Sequence, residues 1–150
     1  MKPLPKIPDR IHRFPVRVYW EDTDAGGIVY HSNYLNFAER ARTEFVRGLG
    51  IRQSELAAGG KGFAFAVSHA EIDFVGSARL DDRLEVASVI HKVGGATMEV
   101  HQVIIRLDDG AELVRLNIRL GFIALEGGRP ARMPADLRQS LLDYASERRE

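Results

Sequence analysis

Asn33-Tyr34-Leu35-Asn36-Phe37-Ala38-Glu39-Arg40-Ala41-Arg42-Thr43-Glu44-Phe45-Val46-Arg47-Gly48-Leu49 sets Tyr34, Ala38, Ala41, Phe45 and Leu49 on one stripe at helical spacing. Asn36, Glu39, Arg40, Thr43 and Arg47 fall elsewhere, so the segment predicts an amphipathic helix that must lay one face on something. Ser32 or Asn33 is placed to cap its first turn, and Gly48 or Gly50 to end its last.

The surroundings of this helix are written almost wholly in period two. Before it, Val16-Arg17-Val18-Tyr19-Trp20-Glu21 predicts a first strand. After it, a short polar connection allows one helical turn at Gln53 to Ala57. Strands are then expected at Phe63 to Val75, Leu84 to Val93, Thr97 to Leu107 and Val114 to Phe122. Gly94-Gly95 and Asp108-Asp109-Gly110 are hairpin signals between them. Within Phe63 to Val75 the phase flips: Phe63, Phe65 and Val67 are apolar at odd positions, Ala70, Ile72 and Phe74 at even ones. That pattern requires a bulge, or a strand that buries different faces along its length. Pro134 opens a short final helix carrying Leu137, Leu141 and Tyr144, and Glu147 to Glu150 are expected to fray. One striped helix and one large antiparallel sheet predict an α+β fold in which about five strands curl around the long helix.

The 150 residues suit one domain, expected at 15–150 behind a loosely ordered arm at 1–14 that carries Pro3, Pro5 and Pro8. Lys plus Arg and Asp plus Glu number 21 each, so the net charge is zero, which argues against nucleic acid as partner and leaves self-association unopposed. The absence of cysteine excludes disulfides, thiolate catalysis and Cys-ligated zinc. No continuous apolar run at the N-terminus reads as a secretory signal, and no stretch reaches transmembrane length, so a cytoplasmic protein is expected.

Chemistry concentrates in Glu21-Asp22-Thr23-Asp24-Ala25-Gly26-Gly27-Ile28-Val29-Tyr30-His31-Ser32-Asn33-Tyr34. Two carboxylates, a diglycine and a Tyr-His pair stand directly before the helix start, where free backbone N–H groups and positive potential can hold an oxyanion. A carboxylate one turn upstream can attack a carbonyl or activate water. Asp24 is the better candidate, because Gly26-Gly27 lets the backbone fold beneath it. Plain turn chemistry is the commoner use of Asp and Gly, and on composition alone both readings stand.

This stretch, with Phe37-Ala38-Glu39-Arg40-Ala41-Arg42-Thr43-Glu44 after it, resembles the 4-hydroxybenzoyl-CoA thioesterase-like hot-dog family, and most of all its Tol–Pal-associated bacterial acyl-CoA branch. The likeness extends over about 15–138, through Ile72-Asp73-Phe74, Ala78-Arg79-Leu80-Asp81-Asp82 and Arg132-Met133-Pro134. The resemblance implies hydrolysis of an acyl-CoA thioester to CoA and a carboxylic acid, without cofactor or metal. It puts the catalytic aspartate at Asp24 and the N–H that polarises the thioester carbonyl at His31. Tyr30, Asn33 and Tyr34 match its motif as substrate-binding or turn-shaping positions. It also implies a homodimer or homotetramer with sites between protomers, and acyl-CoA, or an acyl carrier protein, as partner. Ala25 and His31 replace residues typical of the aromatic-CoA branch. A non-catalytic binding module and a hot-dog hydratase or dehydratase are the competing readings; the wide Asp24 to His31 spacing counts against the hydratase.

Weaker signals lie elsewhere. His69, Glu71 and Asp73 alternate on one strand face, as metal ligands or as a plain polar face. His91-Lys92 has a charge suited to CoA phosphates, or to solvent. The exposed edge of a single curled sheet, and a phase flip read as one strand burying both faces at different points, predict an obligate homodimer, or a dimer of dimers.

Overall fold

Alternating Leu84, Val86, Ser88 and Ile90, with Val100, Gln102 and Ile104 beside them, turns one face of the central strands fully inward, and this face receives the helix. The computed structural model describes residues 11–58 and 62–146. Five strands, β1 (His12–Arg17), β2 (Phe63–Phe74), β3 (Arg83–Val93), β4 (Thr97–Arg106) and β5 (Glu112–Ala124), accompany helices α1 (Asn33–Gly48), α2 (Gln53–Leu56) and α3 (Ala135–Ser146). The strands form one antiparallel sheet in the order β1-β3-β4-β5-β2, leaving β1 and β2 as its edges.

The long helix buries Tyr34, Phe37, Ala38, Ala41, Phe45 and Val46 against the sheet, so the α+β expectation of a curled sheet around one helix holds. The stripe is wider than the sequence period suggested, since Phe37 and Val46 join it and Leu49 lies only partly covered. Small Ala38 and Ala41 let the helix approach closely, and truncating Phe37 alone would cost about 3–5 kcal/mol. Leu137 and Leu141 of α3 complete the core, and Tyr144 packs on Phe45 with ring centroids 4.8 Å apart.

The hairpins close as expected. Gly94 N–H donates to Thr97 C=O at 2.8 Å, and Gly110 takes a left-handed φ of 72° between β4 and β5. There Arg106 grips Asp109 through two nitrogens, at 3.0 and 2.8 Å, and its guanidinium holds the Asp109 carboxyl down to about 2.

The phase flip in β2 is a bulge. Pairing with β5 shifts between Val67 and His69, leaving Ser68 as the extra residue. Phe65 and Val67 then lie opposite Phe122 and Leu120, and Ala70, Ile72 and Phe74 opposite Ile118, Leu116 and Val114. All of them face the helix side, so β2 does not bury its two faces in turn, and that part of the case for self-association falls away. What remains is an edge strand with Val67 and Phe74 about half exposed.

The first strand differs from its expected place at Val16 to Glu21. β1 already begins at His12, inside the expected arm, whose residues 1–10 lie outside the described residues, as do 147–150. Pro15 is tolerated because β1 is an edge. Tyr19 and Trp20, strong strand formers, instead enter a 3-10 turn at Trp20–Asp22. There the Asp22 carboxylate accepts the Tyr19 N–H at 2.8 Å, and Thr23 Oγ1 donates to Trp20 C=O at 2.7 Å. Local side-chain bonds outcompete the ladder once the sheet partner has turned away at Asp82.

Candidate active site

The turn after β1 is built from its glycines outward. Asp24 C=O accepts the Gly27 N–H at 3.0 Å, and Asp24 N–H donates to Ile28 C=O at 2.9 Å. Gly27 closes the turn at φ 81°, a left-handed conformation that a β-carbon would strain. Asp24 Oδ1 accepts the Gly26 N–H at 2.8 Å, which fixes the carboxylate's direction while the residue stays exposed to solvent.

Two anchors hold this turn to the body. Val29, 2% exposed, donates its N–H to Ala78 C=O at 2.9 Å, and Ile28 bridges Arg79. The other side of Ala78 is held by the helix: its N–H donates to the buried Tyr34 hydroxyl at 2.9 Å. Burial raises the Tyr34 pKa, keeping the phenol neutral as the acceptor of that bond. Asp22 C=O accepts both the Tyr30 N–H and Asn33 Nδ2, each at 2.9 Å. The Asp24 turn and the start of α1 are thereby one rigid unit.

The helix entrance differs from its expected form in one respect. Ser32 occupies the capping position but its hydroxyl makes no cap bond, and Asn33 spends its amide on Asp22. Among the described residues the His31 and Ser32 N–H groups have no partner. An uncapped helix N-terminus with positive potential is therefore left open a few residues from Asp24.

Aromatic rings wall this opening. The His31 ring lies 4.6 Å from Tyr30 and meets Phe74 edge-on at 6.2 Å, and Phe74 in turn lies 6.1 Å from Tyr34. Tyr30 and Phe74 are each about half exposed. The structure thus brings Asp24, Tyr30, His31, Asn33 and Tyr34 together, with Tyr34 and Asn33 inside the scaffold and Asp24, Tyr30 and His31 at the surface. Phe74 and the backbone of Ala78 escaped the motif-based selection of site residues. Alternation marks Phe74 as inward-facing, but no local pattern reveals the Ala78 contact with Tyr34, which spans 44 residues.

The chain belongs to the thioesterase-like superfamily. Its family model matches residues 18–141. The acyl-CoA thioesterase YbgC of Haemophilus influenzae is 40% identical over 83% of this chain and 90% of its own. Among solved structures, a probable thioesterase from Bartonella henselae is 38% identical with a TM-score of 0.77, covering 83% of this chain and 99% of that one. A 1,4-dihydroxy-2-naphthoyl-CoA thioesterase from Synechocystis superposes with a TM-score of 0.81 at 25% identity, covering 89% and 96%.

The other sequence candidates lie outside this turn and helix entrance. His69 and Glu71 lie 3.7 Å apart, both more than half exposed, on the sheet face opposite α1. Among the described residues no group of three His, Asp or Glu side chains is arranged to hold a metal. His91, the extra residue at a shift between β3 and β4, stacks on His101 with centroids 4.3 Å apart. Among the described residues no helix is long and apolar enough to cross a membrane.

Proposed function

We propose that this chain hydrolyses acyl-CoA thioesters, with Asp24 as the catalytic carboxylate and the His31 N–H as an oxyanion donor. The observation that carries the reading is the pairing of an exposed, direction-fixed carboxylate with an uncapped helix N-terminus on one rigid turn. The 40% identity to an acyl-CoA thioesterase over most of both chains supports the substrate class.

With the thioester oxygen at the His31 N–H, Asp24 takes a proton from water and the water oxygen adds to the carbonyl carbon. Charge moves onto the oxygen, where the N–H and the helix end stabilise it. Collapse breaks the C–S bond, and the thiolate recovers the proton from Asp24. The same geometry serves direct attack by Asp24, through an acyl anhydride that water then opens. Tyr30 borders the acyl or pantetheine path, while Asn33 and Tyr34 act by holding the turn.

The exposed β2 edge is the surface through which two copies pair, giving a homodimer in which Phe74 of one chain approaches the first half of β2 of the other. The cytoplasm, where CoA thioesters are made and used, is the compartment this activity calls for.

Thiol release from a panel of acyl-CoA and acyl-carrier-protein thioesters tests the reading directly. The chain has no cysteine, so every thiol detected comes from substrate. Asp24→Asn keeps an oxygen for the Gly26 N–H and should fold normally, yet lose about a hundredfold or more in kcat. Near-normal release by the folded variant would remove Asp24 from the mechanism. Light scattering at assay concentration checks the dimer, and a fully active monomer would exclude pairing as a requirement.

A further inference from the structure

Beside the Asp24 turn, Arg79 stands on a loop that leaves its backbone little freedom. Its C=O accepts the Asp82 N–H at 3.1 Å, and its N–H donates to Asp82 Oδ2 at 2.9 Å. Val18 clamps the same loop, donating to Asp82 C=O and accepting the Asp81 N–H, both at 3.0 Å. The Asp82 carboxylate is thereby spent on backbone. Among the described residues the Arg79 guanidinium has no hydrogen bond and no ion pair, and the residue is exposed. The arginines around it are engaged. Arg17 donates to Asp81 C=O at 3.0 Å, Arg83 meets Asp108 at 3.1 Å, and Arg106 grips Asp109.

Register sets where this cation lies. Thr23 pairs with Val29, so Asp24 comes opposite Ile28, and Ile28 in turn pairs with Arg79. Side chains alternate across such a ladder. Thr23, Val29 and Ala78 share one face, which is buried at Val29 and Ala78. Asp24, Ile28 and Arg79 share the other, with Asp24 and Arg79 exposed and Ile28 half-buried between them. Two strand spacings put the Cα atoms of Asp24 and Arg79 about 10 Å apart. The Arg79 side chain adds about 6 Å of reach at the usual rise per bond, so its guanidinium reaches positions up to about 16 Å from Asp24.

An acyl-CoA thioester carries an anion at that distance from its reacting carbonyl. Its pantetheine arm runs about 13 bonds from sulfur to the first phosphorus, or about 15 Å when extended. We propose that Arg79 binds this phosphate, with the arm laid across Ile28, so that the site recognises a phosphopantetheine thioester, whether the phosphate continues into CoA or into a carrier protein. The inference rests on the thioesterase reading. The guanidinium fork matches two phosphate oxygens, and with the loop already clamped only the side chain has to be ordered on binding.

The test places one acyl group, hexanoyl, on pantetheine, 4′-phosphopantetheine, CoA and acyl carrier protein. The full chain should favour the phosphopantetheine over the pantetheine thioester by about tenfold or more in kcat/KM, the scale of one charge-assisted hydrogen bond, with the difference in KM. Arg79→Met should bring the two together, changing the pantetheine thioester, which has no phosphate, by less than about threefold. Arg79→Lys, which keeps the charge but not the fork, should fall between. A matching loss on the CoA or on the carrier-protein thioester names the source of the phosphate. Calorimetric binding of the pantetheine and CoA thioesters to the Asp24→Asn protein, with and without Arg79→Met, reads recognition apart from turnover. Arg79-dependent binding without thiol release overturns the hydrolytic reading alone. A full chain with no preference for the phosphate, a preference that survives Arg79→Met, or an equal loss on both small thioesters overturns the role given to Arg79. A loss on CoA well beyond that on phosphopantetheine moves the contact to the nucleotide and overturns it too.

Discussion

Replacing Tyr34 by Phe removes a single oxygen from the joint between the helix and the Asp24 turn. That oxygen accepts the Ala78 N–H at 2.9 Å in a place where Tyr34 is 3% and Ala78 0% exposed, so no water can take over. An orphaned buried donor costs about 1–3 kcal/mol. For a chain of this length each kcal/mol lowers Tm by about 2–4 °C, so a fall of about 2–12 °C is expected. The loss is also local. Ala78 C=O still holds Val29, but Ala78 is no longer fixed from the helix side, and its amide should exchange about 5- to 160-fold faster with deuterium. Hydrogen exchange resolved at Ala78 and Val29, with thermal unfolding beside it, reads both effects. The turn loosens without losing its carboxylate, so thiol release should fall several-fold. An unchanged Tm with undiminished protection at Ala78 would refute the claim that this bond joins turn to helix.

Two other outcomes follow from the same geometry. His31→Ala keeps the backbone N–H while deleting a ring that only lines the opening, so much of the activity should survive; a collapse as deep as that of Asp24→Asn would make the imidazole a participant. Burial depresses the folded-state pKa of His12 and of His101, the latter also facing His91, with Glu44 and Glu99 pulling the other way. The unfolded chain therefore binds protons first: stability is full above about pH 6.5 and falls as pH drops below it toward the lowered folded-state values. Tm measured from pH 8 to 5 should show this decline, and His101→Gln should flatten part of it; an unchanged slope would exclude His101 as a source.

The features legible in the sequence are those governed by periodicity. The helix at Asn33, the hairpin glycines and the break of phase in β2 each follow from spacing alone, and each is found near its expected place. The errors arise where a side chain bonds its own backbone. Tyr19 and Trp20 look like strand, but Asp22 and Thr23 curl them into a turn. Ser32 looks like a cap, but Asn33 reaches Asp22 instead and the helix end stays open. The motif was legible from its residues as a turn before a helix; a chemical use of Asp24 came from the family resemblance, since Asp and Gly more often serve turn geometry alone. Gln102 stands at an inward position between Val100 and Ile104 and so announces something polar in the core. Its partners Arg42, Ser88 and Ala38 lie 60, 14 and 64 residues away, beyond any local pattern.

Ser68 touches none of the site residues, yet it decides which of them meet. It stands six residues before Phe74, about 20 Å along the strand. Were it deleted, the ladder with β5 could close without interruption, and either the front or the back half of β2 would have to turn over. With Phe65 and Val67 kept in the core, Ala70, Ile72 and Phe74 would point to the far side of the sheet, and the ring beside His31 would be gone. Substitution is another matter, because the side chain is exposed and its one bond, 3.3 Å to Arg119 C=O, is long. At this position the gene can vary its codon freely and cannot lose it: the count of residues, rather than their identity, carries the information.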